Sequence, residues 1–348
     1  MTRNWGLTVL AALGLGACAT PGIDYEAKLM ARYPEAAAQR DVIVDYFSGP
    51  MGGWYTERFE AMLANATLDG RPWFRFADYA VDVPAGAVGI YSGYVDVVDH
   101  RVHEYTRTVS KCVEWDGLFD CETRADVEEY CIEETVEVVA HPRLINRASG
   151  EVVYEATYGG EASREECEEG HYHYGAYGHH GPFGFDAPAD LIRSALSETL
   201  HPIRLDVAPR NAIVRAEFVT EALDPMVRVD PAFQQGVEAV KRDPFTSCSV
   251  WLAMSEEYPA APAVIHNMGA CAEASSDFLT AQSHYARAAE LSSALGATDK
   301  LMQPYLASLQ RLSGQRWGLE QIKQATGDAQ PVPEAPALQD EMAEPPVS

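Results

Sequence analysis

Basic residues are scarce in this sequence: 26 Lys and Arg stand against 52 Asp and Glu in 348 residues, a formal net charge of −26. That balance argues against nucleic acid and against anionic lipid headgroups as partners of the surface as a whole. The apolar run Leu7 to Leu15 is too short to span a bilayer as a helix, which takes ~20 apolar residues. No cysteine pair has the C-x-x-C spacing of a zinc knuckle or a thioredoxin-like site. G-x-S-x-G, the P-loop, the dinucleotide fingerprint and H-E-x-x-H are absent as well. No catalytic residue can be assigned, and the expectation is a protein without enzymatic activity.

What is present begins with an address. Arg3 gives a short basic start to residues 1–17, the apolar run follows, and Leu15-Gly16-Ala17-Cys18 closes it, as in a secretory signal peptide. These four residues resemble the lipobox of bacterial lipoproteins. The resemblance implies cleavage before Cys18 and acylation of its sulfur, palmitate included, so that acyl chains hold the protein to a membrane. Alanine follows Cys18. An aspartate there would favour inner-membrane retention in lipoprotein sorting, so its absence points to the outer membrane with the periplasm as the facing compartment. Residues 18–40 then read as a lipid-anchored tether ending in a short helix.

Six further cysteines, Cys112, Cys121, Cys131, Cys167, Cys248 and Cys271, make an even count that in an oxidising compartment reads as three disulfides. Cys112 and Cys121 can close a small hairpin, which leaves Cys131 to pair with Cys167 across the following strand pair. Such short closures stabilise by roughly 2–3 kcal/mol in the chain-entropy picture.

The fold class reads as α+β or α/β: a central mixed sheet with flanking helices over residues 41–225, then an all-helical array over 230–325. Asp41 to Phe47 is a strand-length apolar run, Ser48 to Gly53 a glycine-rich turn, Tyr55 to Ala66 an amphipathic helix, and Trp73 to Phe76 the start of another strand. The turn matches no phosphate-binding pattern and reads as a tight turn with a close helix contact. Gly86 to Val97, Val102 to Val109, Thr135 to Arg143 and Glu151 to Gly159 read as strands, with a hairpin loop at Asn146 to Gly150. This order of elements resembles the periplasmic α/β domain of the curli-secretion lipoprotein and related assembly lipoproteins. The likeness rests on the strand–glycine turn–helix opening with Leu68-Asp69-Gly70…Trp73-Phe74 and on Leu144…Gly150-Glu151-Val152-Val153. The pore activity of that family is not carried over, because the candidate hairpins Cys112–Cys131 and Glu161–Gly170 are densely acidic and would be costly against lipid.

A histidine tract follows, with His171, His173, His179 and His180 among tyrosines and glycines. Imidazoles suit zinc or copper, so a divalent-metal site is the alternative reading of the chain; otherwise no cofactor is expected. Ala187 to Leu200 reads as a helix ended by His201-Pro202, followed at Ile203–Val207 and Ala212–Val219 by late strands or a crossing segment. From Asp230 onward Asn267-Met268-Gly269, Ala281, Tyr285 and Ala288 resemble the tetratricopeptide pattern, and a frame shifted back by 33 puts Gly236, Cys248 and Leu252 in the equivalent places. In that frame Cys248 and Cys271 sit on neighbouring helices and can bond. Asp299–Leu312 and Gln315–Ala325 read as a capping helical pair, and the Pro-rich acidic residues 326–348 as a disordered tail. Taken together, these readings describe an adaptor or assembly factor on the outer membrane that engages a protein partner through its helical repeats.

Overall fold

The computed structural model describes residues 20–77, 88–116, 120–169, 188–240 and 242–327. They fall into two units. The described residues up to Ala27, with Ala212–Trp317, make a helical unit; those from Lys28 to Asn211, with the residues from Gly318 onward, make a sheet unit. Both boundaries differ from those read in the sequence. Within the stretch read as a tether, Gly22–Leu29 is a strand (β1) with Tyr25 and Ala27 buried, and Pro34–Ala38 is the short helix expected at its end (α1).

Within the sheet unit Asp41–Ser48 (β2) leads into Gly52–Ala64 (α2), the short pair Thr67–Leu68 (β3) and Arg71–Pro72 (β4), and Arg75–Phe76 (β5). β5 lies parallel to β2, which is the expected β-turn-α-β unit. Tyr55, Phe59 and Leu63 recur every fourth residue on α2 and are fully buried. Each such side chain stabilises by roughly 1.5–3 kcal/mol. The glycine turn is built for close approach: Gly49 sits at φ +96°, and a Cβ there would lie 1.9 Å from the Val95 carbonyl oxygen.

Val88–Asp116 (β6), Asp120–Asn146 (β7), Val152–Glu155 (β8) and Tyr158–Glu169 (β9) complete the sheet, ordered β5-β2-β6-β7-β8 with β9 also on β7. The sequence suggested separate strands at 86–97 and 102–109; the described residues of both belong to one 29-residue strand, Val88–Asp116. The gap between them, Val98 to Arg101, falls where apolar alternation stops. Beyond that point both faces of the sheet are largely solvent-exposed, and polar cross-strand pairs replace a core. His100 meets Glu134 at 2.9 Å, Arg107 meets Glu129 at 2.9 Å, and Arg164 meets Glu134 at 2.8 Å. Exposed pairs contribute only ~0.2–1 kcal/mol each, so covalent bonds share the task. Cys112–Cys121 closes the far end of the β6–β7 hairpin, and Cys131–Cys167 joins directly opposed residues of β7 and β9, with Cα atoms 4.1 Å apart.

Ala189–Val207 (α3) covers the sheet through Leu191, Ile192, Ala195, Leu196, Ile203 and Val207. It passes through Pro202 instead of stopping there, and Ile203–Val207 is helix, not strand. Burial of the residues beyond the proline sustains the last turn against the one hydrogen bond that proline removes. Arg210–Glu217 (β10) follows and pairs with β1.

The helices of the second unit are Pro225–Val229 (α4), Pro231–Ala239 (α5), Pro244–Glu257 (α6), Pro262–Ala274 (α7), Phe278–Ala294 (α8) and Asp299–Thr326 (α9). Asp224, Asp230 and Asp243 each cap the helix opened by the following proline, accepting a backbone N–H two residues on at 2.8–3.0 Å. α7 and α8 form the hairpin that the tetratricopeptide-like pattern implied. Asn267, Gly269, Ala281, Tyr285 and Ala288 are all buried, and Cys248–Cys271 bonds α6 to α7. Thirty-three residues earlier the expected correspondence is off by one residue. Trp251, fully buried, packs on Gly236, while Leu252 is 55% exposed. Likewise Ser247, not Cys248, is buried, and it donates to the Gly236 carbonyl at 2.6 Å. The expected capping pair is one continuous helix, α9, whose residues from Gly318 belong to the sheet unit, where Ile322 joins the core.

A Cβ at Gly269 would sit 2.8 Å from the Tyr285 ring, which is itself fully buried. Gly269→Ala is therefore expected to destabilise by about 1–3 kcal/mol through overpacking, despite the helix propensity gained, as read from the urea midpoint.

Candidate functional site

The strongest candidate lies in the helical unit, where α7 and α9 meet the segment Glu217–Leu223 that follows β10. Asn267, fixed on α7, reads the backbone of that segment in both directions: its Oδ1 accepts the Val219 N–H at 2.8 Å and its Nδ2 donates to the Val219 carbonyl at 3.1 Å. Phe218 inserts beside it, edge-on to Trp251 with ring centroids 5.7 Å apart. Next to this clamp a cavity of about 460 Å³ is lined by Thr20, Thr220, Lys300, Gln303, Ser308 and apolar residues including Leu301 and Pro304, a size suited to a small ligand or a few peptide residues.

His266 stands at its inner wall. The ring is buried between Tyr285 and Tyr305, at centroid distances of 4.8 and 5.2 Å. Nε2 lies 3.1 Å from Ser308 Oγ and Nδ1 3.4 Å from Asn267 Oδ1. A neutral ring with its proton on Nδ1 satisfies both contacts, accepting the serine hydroxyl at Nε2. Burial pushes the His266 pKa down to about 4. A serine beside a histidine invites comparison with a nucleophile and its base. A base depressed that far below neutrality is a poor one, and the pair reads as a positioning contact between α7 and α9.

Two turns further along α7 is Glu273, fully buried. Its carboxylate accepts from Tyr25 at 2.6 Å, Tyr285 at 2.6 Å and Arg311 at 2.7 and 3.2 Å. Burial, and then the Glu273 charge and hydrogen bonds, raises both tyrosines far above their ordinary range. Burial works against the Arg311 charge, but the bonds to Glu273 outweigh it and raise its pKa. The network ties β1, α7, α8 and α9 of the helical unit to one group.

Further polar groups of the two units fall elsewhere. Gln282 is bound by Arg316 and His284 packs over Gly269, so neither offers a free surface for a partner. Glu129, Cys131 and Cys167 present ligand atoms within 4.8 Å of one another. Both sulfurs are consumed in the disulfide, and hydrogen bonds from Lys111 and then Arg107 hold the Glu129 carboxyl below its usual value. Cys18, the histidines at 171, 173, 179 and 180, and the tail 328–348 lie outside the described residues. The clamp itself was half visible: Asn267 entered only as part of the repeat pattern, and nothing local in the sequence joins it to Val219, 48 residues away.

No known protein family matches the chain, and no curated protein matches it. Among solved structures, one described as a neuraminyllactose-binding hemagglutinin homolog from Helicobacter pylori aligns with 48% of this chain and 82% of its own, at 11% identity and a TM-score of 0.23. A likeness at that level carries no argument about fold or activity. What the chain defines by itself is a two-unit α+β protein with a disulfide-bonded sheet and a helical-hairpin array.

Two outcomes test this site. Neutral burial of His266 favours the folded state above the unfolded-state pKa, and that contribution is lost as pH falls from about 6.5 toward 4. Between pH 7 and 5 the wild type should lose about 2 kcal/mol through this group, so His266→Gln should show a shallower decline by urea unfolding. Arg311→Met strands a buried carboxylate and should cost about 3–5 kcal/mol; adding Glu273→Gln should recover a substantial part, measured as a coupling energy in the double-mutant cycle.

Proposed function

We propose that this chain is a lipoprotein, anchored through Cys18 in the outer membrane and facing the periplasm, that serves as a non-enzymatic adaptor and engages a protein partner through its helical unit. The observation that supports this reading is the Asn267 clamp with the cavity beside it. A side-chain amide that pairs with both the N–H and the C=O of one residue recognises a polypeptide backbone whatever its side chains. Here the chain's own segment 217–223 already uses that amide, so a partner peptide would lie alongside this segment, between it and the exposed first turns of α9. Its side chains would meet Leu301 and Pro304, and Lys300 would favour an acidic residue. The disulfides fit an oxidising compartment. The alternative, metal binding by His171, His173, His179 and His180, rests on the sequence alone.

A photo-crosslinking residue placed at Gln303, on the cavity rim, should capture a discrete partner in intact cells, whereas one at Glu290 on α8 should not. Equal capture from both positions, or from neither, would count against the adaptor reading. Palmitate labelling that survives Cys18→Ser would separately remove the anchor.

A further inference from the structure

In one part of the sheet unit the charge pattern of the chain inverts. Arg32 follows β1, Arg204 lies in the last turn of α3, and Arg210 opens β10. Backbone hydrogen bonds bring these segments together: the Arg32 N–H donates to the Leu205 carbonyl at 3.2 Å, and the Tyr33 N–H to the Asp206 carbonyl at 2.9 Å. The local carboxylate, Asp206, is buried and already committed. Oδ1 accepts from Arg32 at 3.2 Å and Oδ2 from the Tyr158 hydroxyl. Among the described residues no carboxylate contacts the guanidinium of Arg204 or Arg210. Arg210 is partly withdrawn from water, and that burial, then the charges of Arg204 and Arg32, disfavours its charged form.

Several arginines elsewhere are paired instead. Arg75, Arg101, Arg107, Arg164, Arg215 and Arg311 each meet a carboxylate. In a chain with twice as many acids as bases, three arginines whose charges act on one another, with Asp206 already bound by Arg32 and Tyr158, are a net electrostatic cost. The negative end of the α3 dipole offsets part of it. An anion offsets more, and planar guanidinium forks match the oxygens of phosphate.

We propose that Arg32, Arg204 and Arg210 form a binding site for a phosphate group, carried by a free phosphate or phosphate ester or by a phospholipid headgroup. A tetrahedral oxyanion offers separate oxygens to several guanidiniums, and a phosphate monoester carries up to two charges near neutral pH; a carboxylate offers fewer of both. The site is independent of the helical-unit cavity and of the adaptor reading.

The test uses the full chain carrying Cys18→Ser, so that no acyl chain drives membrane association. Thermal unfolding is followed in millimolar inorganic phosphate against chloride at matched ionic strength. Flotation is followed with phosphatidylcholine vesicles with and without phosphatidylglycerol. Phosphate should raise the melting temperature. Arg204→Gln/Arg210→Gln should weaken that response about 10–100-fold while melting no lower than its parent in chloride, since the repulsion is relieved. Arg204→Lys/Arg210→Lys, which keeps both charges, should retain partial binding and controls for a folding defect. Flotation dependent on phosphatidylglycerol and competed by phosphate assigns the group to lipid; a phosphate response without flotation assigns it to a free ligand. No response to either probe, or an undiminished response in the Gln variant, overturns the proposal.

Discussion

The helical unit depends on the neutralisation of one buried carboxylate. Glu273 has no exposure to solvent, and an unpaired charge there would be prohibitive. Arg311 supplies the countercharge and the hydroxyls of Tyr25 and Tyr285 complete its hydrogen bonding. Those donors come from β1, α8 and α9, so one ionic requirement fixes where the first strand and the last helix stand against the α7–α8 hairpin. The cavity beside Asn267 follows from that placement, because α9 forms one of its walls. The contact between His266 and Ser308 at 3.1 Å holds the same two helices again, two turns earlier on α7 and one turn earlier on α9.

The sheet unit solves a different problem. Near α2 and α3 its strands pack on a continuous aromatic and aliphatic core, with Phe47, Phe59 and Tyr91 in ring contact at 4.9–5.2 Å. Farther along β6 and β7 that core ends and the strands continue with both faces wet. Ladder hydrogen bonds, ion pairs and two disulfides take over there. The acidity that makes this region a poor lipid-facing surface suits it to water, with carboxylates held by Arg101, Arg107, Lys111 and Arg164.

Much of this was legible where one local rule acts. The three disulfide pairings, the β-turn-α-β opening and the Gly269–Tyr285 helical hairpin each follow from spacing over a few turns or strands. The errors arose where tertiary packing overrode a local signal. Pro202 reads as a stop, yet Ile203 and Val207 beyond it are buried and keep the helix going. The gap read between Leu312 and Gln315 contains Gly314, yet α9 runs through it without interruption. Leu252 took the aromatic place by counting back 33 residues, whereas the ring that meets Gly236 belongs to Trp251. The Asp-Pro pairs at 224–225, 230–231 and 243–244 were a helix-start signal available in the sequence and left unused.

The sequence by itself determined the elements whose cause is local: covalent pairing, small residues where helices cross, and turns that only glycine permits. It also determined the charge, and with it the classes of partner the surface disfavours. Tertiary structure alone decided which groups meet across long separations. Asn267 reaches Val219, Tyr25 reaches Glu273 at a separation of 248 residues, and Arg32 comes to lie beside Arg204 and Arg210. No short-range periodicity encodes such meetings. They follow from burying apolar faces first, which then leaves each enclosed polar group to find the partner that the packing brings within reach.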